Sequence, residues 1–267
     1  MDSIKKTLEE MTVEERAKHF MDQHQDACRQ QKQKLSLVSA QTIDRIKQKN
    51  SERAMLVGEW EKKADEVPVW QPEKIGLPTE YFDCSFKNYE DNPALIKRLS
   101  AYKKGGLVLH GPCGSGKTHL AIALLRHFEQ MEWIEHCWDN IKKAQNDNPV
   151  SEKPRSKKLF LSIPRFLMAV MNSFNDQVEV TQMELLNKYS HVPFLVLDDL
   201  GVEKASDFSI LTLYLLLDHR VSNGLDTVIT TNLSLDEIES KLSSRISSRL
   251  AGWDNVNITM PDRRKGK

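Results

Sequence analysis

Residues 111–118 read Gly-Pro-Cys-Gly-Ser-Gly-Lys-Thr, a spacing suited to cradling a polyphosphate. Glycines at 111, 114 and 116 let the backbone close around phosphate with its amide N–H groups turned inward. Lys117 then offers a compact positive charge to the β- and γ-phosphates, and Thr118 a hydroxyl for Mg²⁺. The pattern G-x-x-x-x-G-K-[ST] has force only at a strand-to-helix junction. That context is present, because the apolar run Gly106-Leu-Val-Leu-His110 ends where the glycines begin and a helical pattern opens after Lys117. The expected nucleotide contacts are Gly111, Pro112, Cys113, Gly114, Ser115, Gly116, Lys117, Thr118 and His119, with ATP and Mg²⁺ as cofactors. Cys113 fills a variable position of the loop and is assigned no chemistry of its own.

A second constellation follows about 80 residues later. Phe194-Leu-Val-Leu-Asp-Asp199 is an apolar run that ends in paired carboxylates, which a buried strand tolerates only where it emerges at its ligand-binding edge. Asp198 is expected to orient Mg²⁺, with Thr118 as the other protein ligand, and Asp199 to polarise an attacking water. Asn232 ends the run Thr227-Val-Ile-Thr-Thr231, where its amide can hold that water or the terminal phosphate. Arg245 and Arg249 stand four apart, on one helix face. Charge that develops during phosphoryl transfer is often met by an arginine from another subunit, and such a pair suits that role.

These residues need a scaffold that gathers strand ends on one edge. From Leu107 onward strand and helix patterns alternate: strands at 106–110, 158–162, 193–197 and 227–231, a last one at 255–260, and helices at 119–130, 164–174 and 208–222. Nearly all-apolar strands alternating with helices imply an α/β fold with a parallel sheet covered on both faces. Residues 131–157 read as a long polar connection in which Trp133, Ile134 and Trp138 could form some helix.

Upstream the chain changes character. Residues 1–66 are rich in Glu, Lys, Gln and Arg, with one glycine and no proline, which favours helix. Thr12 and Glu15 fit a capping box. Leu35, Val38, Ile43, Ile46, Leu56, Val57 and Trp60 form a thin apolar stripe, suited to packing on a partner, on a second copy or on the body of the protein, or else to lying on a solvated helical extension. Pro68, Pro72 and Pro78 then break the pattern. The expected organisation is a helical partner-binding region at 1–66, a linker and lead-in at 67–90, and a nucleotide-binding domain at 91–267.

With 38 basic and 38 acidic residues the net charge is zero, so any nucleic-acid contact must be a local patch. Lys97-Arg98, Lys103-Lys104, Lys153–Lys158 and Arg263–Lys267 are the candidates. The four cysteines form no C-x-x-C pair, which gives a zinc ribbon no support. No apolar run approaches a membrane span, and the N-terminus lacks a signal-like apolar stretch. A cytoplasmic protein is expected.

The order GPCGSGKTHLA, LVLDDLG, TTNL and SSRISSRL resembles the AAA+ ATPases, and within them the DnaC/DnaI/IstB branch of helicase loaders and transposition helpers. Residues 75–83 and 85–89 are similar to that branch's lead-in. The resemblance spans about residues 75–260. It implies a P-loop AAA+ sheet flanked by helices, with a helical N-terminal extension and no C-terminal lid. It also implies sensor 1 at Asn232, an arginine finger at Arg249 with Arg245 beside it, and ATP hydrolysis in a homo-oligomer. The partners implied are a replicative helicase, held by the N-terminal helices, and single-stranded DNA, with no membrane. The alternatives are a transposition helper on duplex DNA and, from another class, a small-molecule P-loop kinase.

Overall fold

The apolar runs become five parallel strands: β1 (Gly106–His110), β2 (Lys158–Ser162), β3 (Phe194–Leu200), β4 (Asp226–Thr231) and β5 (Asp254–Asn257). Their order is β2-β3-β4-β1-β5. The structure is a computed structural model that describes residues 40–65 (40–44 by backbone alone), 70–89, 92–151, 157–173, 180–202 and 206–262. The described residues divide into two compact units, one within Met1–Glu66 and Cys137–Glu152 and the other within Val67–His136 and Lys153–Lys267.

Side chains alternate across the sheet with a period of two, so each face builds its own core. Leu195 and Leu197 of β3 and Ile229 of β4 join Phe166 of α4 (Ile163–Asn172), Leu213 and Leu217 of α6 (Asp207–Ser222), and Ile238 and Ile246 of α7 (Leu235–Lys241) and α8 (Ser244–Leu250). On the other face Phe194, Val196 and Val228 join Leu120, Leu124 and Leu125 of α3 (Lys117–Gln145) and Leu99 of α2 (Pro93–Ser100). Ile75, Leu77, Cys84 and Tyr89 of the proline-rich lead-in belong to this second core, so the lead-in packs against the sheet.

Local signals set the helix starts. Thr181 with Glu184, at the head of α5 (Gln182–Ser190), and Ser234 with Glu237, at the head of α7, form capping boxes, and Asn92 caps α2 ahead of Pro93.

Some boundaries differ from the sequence expectation. The helix after the glycine loop runs to Gln145 instead of stopping near 130, because Cys137, Asn140, Ile141 and Ala144 keep a buried stripe while Glu135, Asp139 and Lys142 lie exposed. Strand β3 continues through both aspartates to Leu200, and β5 ends at Asn257. The capping box at Thr12, the side chains of Leu35, Val38 and Ile43, and the basic residues at 153–156 and 263–267 lie outside the described residues. Among the described candidates for nucleic-acid contact, Lys158 is almost buried and paired with Glu132, and Arg98 pairs with Asp254 at 2.5 Å. No described helix is long and apolar enough to cross a membrane.

Candidate nucleotide site

At the C-terminal edge of the sheet the glycine loop links β1 to α3. Gly111, Gly114 and Gly116 have φ of 146°, 76° and 91°, values an L side chain rarely adopts. Space forbids a side chain as well: a Cβ at Gly111 would overlap the Ile258 carbonyl, and one at Gly116 would come within 2.8 Å of the Tyr89 ring. The Tyr89 hydroxyl donates to the Ser115 carbonyl at 3.3 Å, which fixes the loop from beneath. The Lys117 ammonium donates to the Gly111 and Pro112 carbonyls at 3.0 and 2.7 Å, which keeps it over the mouth of the loop.

The strand order explains how the acids meet this loop. β4 lies between β1 and β3, so its last residues bridge the glycine loop and the carboxylates. Thr230 Oγ1 donates to Asp198 Oδ1 at 2.7 Å and accepts the Asp199 amide at 2.9 Å. Pairing of β3 with β4 runs in register to Leu197–Ile229 and resumes shifted at Leu200–Thr231. The bulge between them puts Asp199 at φ 63°, an uncommon conformation for a residue with a side chain. Asp198 turns inward, 4% exposed, and also accepts from Thr118 Oγ1 at 2.8 Å.

Burial raises the Asp198 carboxyl to about 6 against the opposing Thr230 hydroxyl; the Asp199 charge adds to the rise, while the Thr118 hydroxyl and Lys117 charge oppose it. Burial, then the Lys117 charge, lowers the His110 imidazole below its usual range. Tyr81, pushed up to about 12 by burial and then by the Asp198 charge, is a neutral phenol at ordinary pH.

A pocket at this edge is lined by Tyr81, Cys113, Gly114, Gly116, Lys117, Thr118, His119, Asp199 and Asn232. Asn232 Nδ2 lies 3.7 Å from Cys113 Sγ, so the amide at the end of β4 faces the loop. Pro112 contributes a carbonyl to Lys117, and Ser115 is fully buried. His119 packs against Tyr89 with the two rings tilted and meets the Ser85 carbonyl at 2.9 Å, so its ring also anchors the lead-in. Among the expected residues the structure brings together the loop, Asp198, Asp199 and Asn232. Arg245 and Arg249 on α8 are not part of this lining. Arg249 is held at home, its Nε donating to Asp218 at 2.7 Å and its Nη2 to the Tyr214 hydroxyl at 3.3 Å. Arg245 is exposed.

Three contributors escaped the sequence reading: Tyr81, Tyr89 and Thr230. Thr230 left only a shared signal, since Thr227, Thr230 and Thr231 all put hydroxyls on a strand that reads as buried and each requires a partner.

Mg²⁺ needs few protein ligands when phosphates and water supply the rest. The Thr118 hydroxyl and the Asp198 carboxylate, 2.8 Å apart at the loop, form a donor set that fits it. Among the described residues no cluster of three or more acidic, histidine or cysteine side chains competes as a metal site.

A glycine loop on β1, acids on β3 and a polar tip on the intervening β4 give the chain a P-loop fold of the AAA+ type. In sequence the chain is DnaC-like. It is 23% identical over 196 residues to the replicative helicase loader DnaC of Buchnera aphidicola subsp. Baizongia pistaciae (strain Bp), an alignment that covers 70% of each chain. To the replicative helicase loader DnaC of Escherichia coli (strain K12) it is 22% identical over 187 residues, 66% of each chain. Domain III of the Thermotoga maritima replication initiation protein DnaA shares the fold, with a TM-score of 0.50 and 18% identity over 68% of this chain and 69% of that one. No family model matches the chain.

Proposed function

We propose that the protein is an ATP-dependent replication factor that loads a replicative helicase onto single-stranded DNA and hydrolyses ATP in a homo-oligomer. The observation that carries the nucleotide reading is the convergence of Lys117, Thr118, Asp198 and Asn232 on one sheet edge. The similarity to DnaC loaders supports the helicase partner, and residues 1–66 are the segment assigned to hold it.

In this reading the loop amides and Lys117 bind the β- and γ-phosphates, and His119 and Tyr89 keep the loop in place. Thr118 and Asp198 would hold Mg²⁺, which would supply positive charge against the phosphate oxygens. Thr230 fixes the direction of Asp198. Asp199 polarises the attacking water, accepting its proton as the oxygen closes on the γ-phosphorus and the bond to the β–γ bridging oxygen breaks with ADP leaving, and Asn232 holds that water or a γ-oxygen. Arg249, with Arg245 beside it, completes the charge on a neighbouring copy after release from Asp218.

Two experiments test this reading. Lys117→Ala removes the charge opposite the phosphates, and Mg·ATP affinity should fall about 100-fold or more, since charge-assisted hydrogen bonds are worth about 1.5–3 kcal/mol each; equal calorimetric affinities for the two chains would refute the site. In an affinity pull-down the full chain should retain a replicative helicase while residues 67–267 should not.

A thiol probe reads the same loop. Cys113 is exposed, whereas Cys84 and Cys137 are buried, and burial pushes both of their thiols up to about 11. In a Cys28→Ser chain a maleimide should modify Cys113 first, and saturating Mg·ATP should slow that reaction about tenfold or more, because only the thiolate in reach of solvent reacts. Mass spectrometry that finds identical rates with and without nucleotide would count against occupancy of the loop.

A further inference from the structure

The unit outside the sheet is built from two stretches far apart in sequence. Helix α1 (Ala40–Asp65) shares it with residues 137–152. Arg53 grips Asp147 with both arms, Nε to Oδ1 at 3.2 Å and Nη2 to Oδ2 at 2.7 Å, and Lys49 reaches the same carboxylate at 2.8 Å. These two cations hold the Asp147 carboxyl down, at about 2. At the other end the Lys63 charge acts on the buried Cys137 thiol. Residues 49 and 53 therefore lie by 147, and the Lys63 charge is felt ten residues back along the second segment, at Cys137, as an antiparallel pairing of the two requires.

Their buried positions fall between those two tie points. On α1 these are Val57 and Trp60, 8% and 2% exposed; on the end of α3 they are Asn140, Ile141 and Ala144, 0%, 0% and 3% exposed. The spacings 53, 57, 60 and 137, 141, 144 alternate four and three, the pattern of a helix-pair seam. The α3 end is finished to fit. Asp147 has φ 56°, and the Asn148 amide returns to the Lys143 carbonyl at 2.8 Å, a left-handed helix stop. Asn140 fastens the following strand of chain through both its amide atoms, to the Ser151 carbonyl at 2.6 Å and from the Ser151 amide at 3.0 Å.

We propose that the helicase-binding element is discontinuous: α1 presents the partner surface only when paired along its length with residues 137–151, and Arg53, Ile141 and Asp147 are its positioning residues. This rests on the helicase-loading reading above. It gives the segment at 131–157 a role, since its second half is the mate that a single amphipathic helix with a narrow apolar stripe requires.

The test uses the full chain and the replicative helicase of Escherichia coli as the probe, with Mg·ATP affinity read in parallel. Ile141→Asp places a charge in the seam, and Lys49→Glu/Arg53→Glu sets three acids against one another; each should weaken helicase capture at least about tenfold while ATP affinity stays within about twofold. Adding Asp147→Lys to the double variant reverses the pair and should recover most of the capture. If the unaltered chain captures no helicase, the loading reading fails and takes this inference with it. If the unaltered chain captures it and the seam variants do so equally well, the composite element alone is wrong. Loss of ATP affinity in the seam variants, or no recovery on charge reversal, would also overturn it.

Discussion

Asp199→Asn should bind Mg·ATP as the unaltered chain does and turn it over about 100- to 10,000-fold more slowly, the range for loss of a positioned general base. Asparagine is the right probe because, like aspartate, it tolerates a positive φ, and residue 199 sits at 63°. The hydrogen bond from the residue-199 backbone N–H to Thr230 Oγ1 is kept as well. Asp199→Gly is the informative contrast. It removes the same carboxylate but relieves a backbone held in the left-handed region, so the folded state should gain up to about 1 kcal/mol while hydrolysis stays lost. A more stable, inactive protein would show that the bulge is held for chemistry. Arg249→Ala should bind ATP normally and also fail to hydrolyse it. Mixed with Asp199→Asn subunits, it should recover part of the activity, because one interface then joins an intact water site to an intact arginine. If assemblies shown by cross-linking to be mixed have no activity above either parent, the arginine does not act across the interface.

Arg220→Met should cost about 3–5 kcal/mol, measured as the shift of a denaturant midpoint at constant slope. Arg220 is completely buried. Its Nε donates to Thr227 Oγ1 at 2.9 Å, Nη1 to the Tyr189 and Val192 carbonyls at 2.8 Å each, and Nη2 to the Asp226 carbonyl at 2.7 Å. The guanidinium therefore caps the end of α5 and ties the entry of β3 to the entry of β4. Burial pulls its pKa down to about 10, partly offset by the Asp226 charge, so it remains a cation at neutral pH. Methionine matches the stem but leaves those carbonyls buried without a donor. Lysine keeps the charge yet cannot reproduce a planar fork with donors in several directions. Arg220→Lys should therefore fall between the two, and a lysine variant as stable as the original chain would contradict this account.

The sheet and the phosphate loop were legible in the sequence for a physical reason. Strands covered on both faces must be apolar at nearly every position, and a loop that wraps phosphate must place glycine where φ is positive. The paired acids were legible because carboxylates at the end of such a run need a ligand-facing edge. Their bulge was not, since it depends on a hydroxyl from β4 that nothing local announces. The length of α3 was missed for a related reason. Beyond residue 131 its apolar positions are interleaved with acids, lysines and an asparagine, so no clean helical stripe stands out, and the buried set at 137, 140, 141 and 144 emerges only in the fold. Arg249 shows a further limit, because its spacing from Arg245 marks a shared helix face but not a partner, whereas its resting contacts with Asp218 and Tyr214 come from α6.

The chain just after β5 forms a wall of the phosphate loop. The Ile258 amide donates to the His110 carbonyl at 2.8 Å, the Ile258 carbonyl lies where a Gly111 side chain would go, and the Asp262 carboxylate lies where a Gly114 side chain would go. Anyone trimming this protein for crystallisation, or splicing a reporter onto it, should leave residues 254–262 intact, since a cut ahead of them would strip away the backbone and the carboxylate that back the glycine loop.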